Sequence, residues 1–480
     1  LRDGIELIPL IPDRSGACHK RKMTQIFQMM EPFAERTTTF SDCHHNTAIA
    51  AAERHYCPVP KCTAYGRQLL EKAFVYLKRI CRKQGIYPGS VETWTSDKVV
   101  STRVASRKKV YAAAFASLRD ERVVRKDFYL KAFTKFEKNP KDNIESKVPR
   151  LIQYRSPRAL ASLSTYFAPL EHVFYHLRFN GKSVFAKHMD AFARGKAIHE
   201  LSGFGRVLLG FDHSRFDSHI VGPLLELEHR FYRWVFRGDK QLQTMLDWMK
   251  IHHITIGGSY RFIAHGGRTS GDYNTSLGNN IVNILVMFAW AIHHNCLDSM
   301  GLLLDGDDSV VSLLDETDAH KDLSVFTQLG MTTKLEERGL QPERVQFCQA
   351  RAVWSGTEWR MMRDFRRVLT RLPWTIRTYD RDAWRKYARG VAQGEAATNS
   401  GTPILHVLAN TLLQQLGAGK VIAEPEYERV KMPKFSVVTS ATRISYGLAW
   451  NISPSDQESL ESSIAAMNWV EPLTDLCDYA

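Results

Sequence analysis

The chain has 480 residues, 44% of them hydrophobic, and carries 65 Lys and Arg against 51 Asp and Glu, a formal charge of +14. This length and apolar content supply a core large enough for two or three domains and exclude a disordered or fibrous chain. Eight cysteines at irregular spacing, with no signal peptide ahead of them, fit a reducing compartment rather than a disulfide framework.

Taken in chain order, the sequence begins with Leu1 rather than Met, as an excised or processed piece would, which leaves room for a membrane anchor upstream. Cys43, His45, Cys57 and Cys62 offer soft ligands for a structural zinc ion, but their spacings match no standard zinc site, and ordinary thiols are the competing reading. Apolar residues at helical spacing predict helices over Arg67 to Arg82 and Val110 to Leu118. Between Ser101 and Leu160 there are 16 basic residues and 6 acidic ones. That region ends in KVPRLIQYRSP (147–157), an extended basic strand in which Lys147, Arg150 and Arg155 offer cations suited to triphosphate oxygens. Val207 to Phe211 reads as a buried strand ending at Asp212, with Asp217 five residues on. A helix N-cap is the bland reading of Asp212. Leu224 to Phe236 reads as a helix.

The loop GGRTSGDYNTSLGN (266–279) is rich in glycine, hydroxyls and amides, and Ser270, Thr275 and Asn279 offer neutral hydrogen bonds to a sugar or base edge. A flexible, capped helix entry is the alternative. The following run from Ile281 to Ile292 has the composition of a buried helix and falls short of the roughly 20 residues that span a bilayer. LLLDGDDSVV (302–311) then sets Asp305, Asp307 and Asp308 between two apolar arms, as a solvated hairpin turn or as a cation site would. No Lys or Arg occurs from Thr269 to His320, against eight acids, so Asp307 and Asp308 are expected to lack internal ion pairs. Past Arg377, helical stretches alternate with turns. A segment without Lys or Arg follows Arg443, either folding over the basic cleft or trailing as a solvated terminus.

A basic surface with an acidic centre is the layout of an enzyme acting on nucleic acid. A nucleic-acid-binding structural protein would need the charge but has no use for the acidic block. If the strand ending at Asp212 lies beside the hairpin, Asp212 and Asp307 can share two divalent cations about 3.5–4 Å apart, as in-line phosphoryl transfer requires. A nuclease or reverse transcriptase shares that pair, and the Ser270 to Asn279 motif argues against both.

The ordered set Asp212-x4-Asp217, Ser270 to Asn279, and Gly306-Asp307-Asp308 resembles palm motifs A, B and C of positive-strand RNA virus RNA-dependent RNA polymerases, more narrowly the tombusvirus-like group. SRFD (214–217), PRLIQYRSP (149–157), LGMTTKLE (329–336, similar to motif D) and VQFCQ (345–349, similar to motif E) share that style. His45, Asn46, Arg54 and RKKVY (107–111) resemble its upstream regions more loosely.

The resemblance implies an α+β right-hand polymerase fold with a ferredoxin-like antiparallel palm sheet. It places an N-terminal region and fingers in 1–206, motif A in 207–238, a fingers insertion in 239–265, motifs B to E in 266–350, and a thumb with C-terminal tail in 351–480. It implies two Mg2+ or Mn2+ ions on Asp212 and Asp307 with Asp308 assisting, and Lys334 as general acid for the leaving pyrophosphate. Asp217, Ser270, Thr275 and Asn279 would select a ribose, and Lys147, Arg150 and Arg155 would guide the triphosphate. RNA template and product, NTPs, primer-independent initiation, and replicase proteins supplying membrane attachment in the host cytoplasm complete the expectation. Asp305 stands where that group has a neutral residue and is left without a role.

Overall fold

The computed structural model describes residues 20–21, 23–141, 144, 147–203, 206–257, 260–314, 322–377, 379–422 and 436–470. Its centre is a four-stranded antiparallel sheet in the order Gly301–Asp305, Asp308–Leu314, Arg206–His213, Thr333–Gly339. Each of the first three strands in that order alternates between two cores. Val207, Leu209, Phe211, Leu302, Leu304, Val311 and Leu313 pack with helices Pro223–Val235 and Thr275–His293. Leu208, Leu303 and Val310 pack on the other side with Ile198 and Leu201 of helix Ala191–Ser202. A sheet covered on both faces reads as continuous apolar runs, which is why the sequence shows runs rather than alternation.

From Ile284 to Ala291, helix Thr275–His293 is apolar around its whole circumference because neighbours cover every side, as expected for a helix in the centre of a large domain. Formed, it is 19 residues long, more than the run from Ile281 to Ile292 suggested, and is long and apolar enough to cross a membrane by length and composition; 83% of its apolar window is buried inside the protein.

A second sheet is assembled from distant segments: Tyr260–His265, Ile251–Ile256, Leu130–Thr134 and Leu151–Tyr154, in that order. The basic strand is thus shorter than 147–157. Ser156 caps the next helix by accepting a hydrogen bond from the Ala159 amide, and Pro157 occupies its first turn, so Pro157–Phe174 is helical. The helix expected over Arg67 to Arg82 runs Ala64–Lys83, and that over Val110 to Leu118 runs Ala105–Asp120.

The C-terminal part is a bundle of helices Arg381–Asn399, Leu405–Leu416, Ser440–Trp450 and Pro454–Ala466. Its core also takes in Ile26 and Phe27, and the strand Thr24–Gln25 pairs with Trp374–Thr375. The described residues 24–27 therefore pack with the C-terminal bundle. The segment after Arg443 does not trail in solvent over its described length. Ile464 and Trp469 are buried, and Arg443 pairs with Glu461 at 2.7 Å. Residues 471–480 lie outside the described residues.

Trp469 is 1% exposed, and its indole N–H donates to the Ile464 carbonyl. Trp469→Ala should cost about 3–5 kcal/mol, read as a lowered denaturation midpoint of the C-terminal bundle; a solvated terminus would leave the midpoint unchanged.

Candidate active site

The hairpin turn is fixed by its backbone. Asp305 pairs with Asp308, leaving Gly306 and Asp307 as the turn, and Gly306 has φ +71°, which favours glycine. Both polar groups of the Gly306 peptide unit are held by the central helix. Its N–H donates to Asn280 Oδ1 at 3.1 Å, and its carbonyl accepts from Asn283 Nδ2 at 3.0 Å. Asn283 Oδ1 also lies 3.2 Å from His213 Nε2. Burial pushes the His213 pKa down to about 4, so the ring is neutral near pH 7. Nε2–H then donates to Asn283, while Nδ1 accepts from the Thr333 hydroxyl at 2.8 Å. The turn, the central helix, the Asp212 strand and the Lys334 strand are thus joined by one hydrogen-bond chain.

The strand register lines up the charges. Asp305 faces Asp308, and Asp212 faces Lys334. Between these pairs, Ser309 faces Phe211, and continuing that antiparallel register by one residue sets Asp308 against Asp212. Asp212 lies within its strand rather than capping a helix, and Ser214 donates to its carboxylate at 3.3 Å. Asp307 and Asp308 are exposed at the turn, yet enough of the protein surrounds them to desolvate both carboxylates. Desolvation, followed by the nearby Asp217 and Asp212 charges, raises the Asp307 pKa even though Arg150 opposes it. Desolvation and the Asp307 charge push Asp308 up to about 6.

Uncompensated negative charge on hard oxygen donors is what a divalent cation relieves, so the donor set fits Mg2+ or Mn2+. The three carboxylates do not converge within 4.8 Å of one another, as the donor atoms of His293, His294 and Asp322 do. Mutual repulsion accounts for that spread.

Asp305 has a partner after all. Arg194, from helix Ala191–Ser202, reaches its carboxylate at 2.7 Å, and the Cys348 thiol lies 3.8 Å away. Sequence reading left Asp305 unexplained because the cation that meets it comes from a distant part of the chain.

On the other side of the turn, Asp217 accepts from Asn279 Nδ2 at 3.2 Å and is ion-paired with Arg54. Asn279 Oδ1 accepts from Arg268 at 2.9 Å, and Arg268 forms a buried ion pair with Glu228. Asp217 and Asn279 thus face each other with both side chains oriented. Ser270 docks the loop on the basic strand, accepting from the Gln153 amide at 3.0 Å and donating to the Leu151 carbonyl at 3.3 Å. Thr275 donates its hydroxyl to the Thr269 and Asp272 carbonyls at 2.8 and 2.9 Å, closing the loop on itself.

Lys147 and Arg150 are exposed, and Arg150 pairs with Glu137 at 3.0 Å. Arg155 does not join them. It is 1% exposed and forks onto Asp272, with an Nη2 to Oδ2 distance of 3.1 Å and a further bond to the Phe128 carbonyl. Burial alone would raise the Asp272 pKa, but Arg155 overrides it and holds the carboxyl below the usual range. Arg155 therefore fixes the loop and does not reach a triphosphate. Lys334 is exposed beside Asp212.

Cys43, His45, Cys57 and Cys62 do not assemble a zinc site. Among the described residues, the one group of three or more metal-type donors is His293, His294 and Asp322, and the Cys43 sulfur instead accepts from the Asn46 amide. Asn280, Asn283, His213, Arg194 and Arg268 were missed by motif reading. The available signal was the presence of Asn279, Asn280 and Asn283 in an otherwise apolar helix, since buried amides need partners.

An antiparallel sheet with carboxylates at a hairpin tip, a basic strand nearby and a polar loop closing one side is the arrangement of the right-hand polymerases. The chain belongs to the viral RNA-dependent RNA polymerase family: the family model described as "Viral RNA dependent RNA polymerase" matches residues 13–470. It is 28% identical over 456 residues to the RNA-directed RNA polymerase of Panicum mosaic virus, covering 88% of this chain and 44% of that protein. The enzyme of Maize chlorotic mottle virus is 29% identical over 379 residues, covering 74% and 38%, and that of Carnation mottle virus 28% over 398 residues, covering 78% and 51%. The chain thus spans about half the length of these relatives or less.

The Asp308 pKa near 6 lies above the usual carboxylate value, so the folded protein binds this proton more tightly than the unfolded chain. Its stabilisation is complete below the unfolded pKa and is lost as pH rises through about 6. In chelator, wild type should lose more thermal stability than Asp308→Asn between pH 5 and pH 7, assay values chosen to bracket that pKa. Parallel melting curves would contradict the crowding of these carboxylates.

Proposed function

We propose that the chain is the catalytic part of a viral RNA-dependent RNA polymerase, adding NTP-derived nucleotides to an RNA 3′-hydroxyl on an RNA template and releasing pyrophosphate. The observation that carries this reading is the row of Asp308, Asp212 and Lys334 across adjacent strands, with Asp307 at its turn and the Asp217–Asn279 pair beside it. Asp212 and Asp307, assisted by Asp308, would hold two Mg2+ or Mn2+ ions. Bound there, the ions would lower the pKa of the attacking 3′-hydroxyl and stabilise the leaving pyrophosphate.

The chain's own residues do the positioning, which is most of what phosphoryl transfer asks of a protein. Lys147 and Arg150 hold the triphosphate. Asp217 and Asn279, aligned by Arg54 and Arg268, accept from and donate to the ribose 2′-hydroxyl, while Ser270 and Thr275 keep the loop beneath it in shape. Lys334, exposed next to Asp212, protonates the pyrophosphate as it leaves.

The central sheet is read as a ferredoxin-like palm formed by 207–238 and 266–350. Pairing of Ile251–Ile256 with Leu130–Thr134 supports 239–265 as a fingers insertion, and the C-terminal bundle as the thumb. Initiation without a primer, for genome replication and transcription, fits the tombusvirus-like relatives. Work in membrane-associated complexes of the host cytoplasm would rely on replicase proteins for attachment.

Asp307→Ala should abolish template-dependent incorporation on primed and unprimed RNA while leaving RNA affinity and melting temperature close to wild type. A variant that still polymerises overturns the metal assignment, and a wild type that degrades RNA or prefers deoxynucleotides points to a nuclease or reverse transcriptase. Asn279→Ala and Asp217→Ala should each relax ribonucleotide preference, seen as a fall in the ratio of kcat/KM for NTP over dNTP. Asn283→Ala should lower kcat by about 10²-fold with little change in NTP KM, since misplacing the Gly306 turn moves the reacting groups. An unchanged kcat would remove that anchor from catalysis.

A further inference from the structure

At the far end of the central helix, about 21 Å along its axis from Asn279, lies a cluster the polymerase reading does not use. His293 and His294 close the helix Thr275–His293, and Asp322 stands just before the short helix Ser324–Gln328. One ligand atom from each of the three lies within 4.8 Å of the other two. His293 Nε2 is 3.9 Å from Asp322 Oδ2, and the His293 and His294 rings stand at 89° with centroids 4.6 Å apart.

Two of the three ligands are oriented by a second contact that leaves another donor atom available. His293 Nδ1 lies 2.9 Å from the Tyr65 hydroxyl, which turns Nε2 toward Asp322. Asp322 Oδ1 accepts from the Ser324 amide at 2.9 Å, which leaves Oδ2 for a ligand. His294 Nε2 is shut off from water and has no hydrogen-bond partner. A shielded, unpaired imidazole nitrogen is costly by itself and is relieved when its lone pair binds a metal. Metal-ligating histidines commonly have their second nitrogen fixed in this way by an outer partner.

We propose that His293, His294 and Asp322 form a binding site for a divalent transition metal of the zinc class, separate from the catalytic carboxylates. Two imidazoles and one carboxylate are borderline ligands, suited to Zn2+, Co2+ or Ni2+ and poorly suited to Mg2+, with water filling the fourth tetrahedral position. The site joins three elements. Tyr65 belongs to helix Ala64–Lys83, whose start is packed so closely that a Cβ on Gly66 would meet the Gln328 carbonyl oxygen at 2.0 Å. Thr63 also donates its amide to that carbonyl at 2.9 Å. A metal here therefore fastens the segment leading from Asp322 into strand Thr333–Gly339, which carries Lys334, to the central helix. This is a staple on the back of the sheet, not a reaction site.

The test uses the full chain carrying Asp307→Ala, kept in excess Mg2+ so that catalytic carboxylates do not contribute, titrated with Co2+ alone. One bound equivalent with visible ligand-field absorption, displaced by Zn2+, is expected. Asp322→Asn, at an exposed position where the amide oxygen still accepts from Ser324, should keep the metal-free melting temperature and lose that equivalent. His293→Gln with His294→Gln should lose it as well. Zn2+ should raise the melting temperature of the parent and not of Asp322→Asn. No bound equivalent in the parent, or the same equivalent retained in either variant, overturns the proposal.

Discussion

The Gly306 peptide is gripped on both sides, its N–H by Asn280 and its carbonyl by Asn283, and the positions of the acidic groups follow from that grip. A two-residue turn carrying adjacent like charges would otherwise be free to splay. Here it is tied to a helix that is itself buried along nearly its whole length. Asn283 passes the constraint to neutral His213, and His213 passes it to Thr333. Because every group in this chain is a neutral donor or acceptor, it fixes the geometry without cancelling the charge that the site needs.

The arginines do the opposite work. Arg194, Arg54, Arg155 and Arg268 each meet one carboxylate, namely Asp305, Asp217, Asp272 and Glu228. Asp307 and Asp308 remain crowded and undercompensated, with pKa values pushed upward. Two of these pairs, Arg155–Asp272 and Arg268–Glu228, are almost fully buried, where losing one partner would strand a charge. They shape the loop from Gly266 to Asn279 from beneath. The division is electrostatic: four acids around the site each meet an arginine, whereas Asp307 and Asp308 have their pKa values raised.

The same interleaving operates at the scale of the whole chain. Ile26 and Phe27 enter the C-terminal core, and strands near residues 130, 151, 251 and 260 make one sheet. A chain that crosses between its units this often has few places at which one unit can move independently of the rest.

Local chemistry was written in the sequence wherever neighbours along the chain settle it. The apolar run into Asp212, the Asp-Gly hairpin, the long apolar helix and the glycine-rich entry loop all appear as the residues demanded. The joint order of the motifs also carried the family. What the sequence left open were relations between residues far apart along the chain. Arg155 looked like a triphosphate ligand until burial against Asp272 removed it from the surface. Asp305 had no role until Arg194 reached it. Cys43, Cys57 and Cys62 looked like metal ligands, yet His293, His294 and Asp322 are the donors that converge. Spacing determines which face of a strand or helix a side chain takes. Whether a charge on that face meets water, a partner or another like charge depends on which distant segment packs against it, and tertiary structure alone decided that.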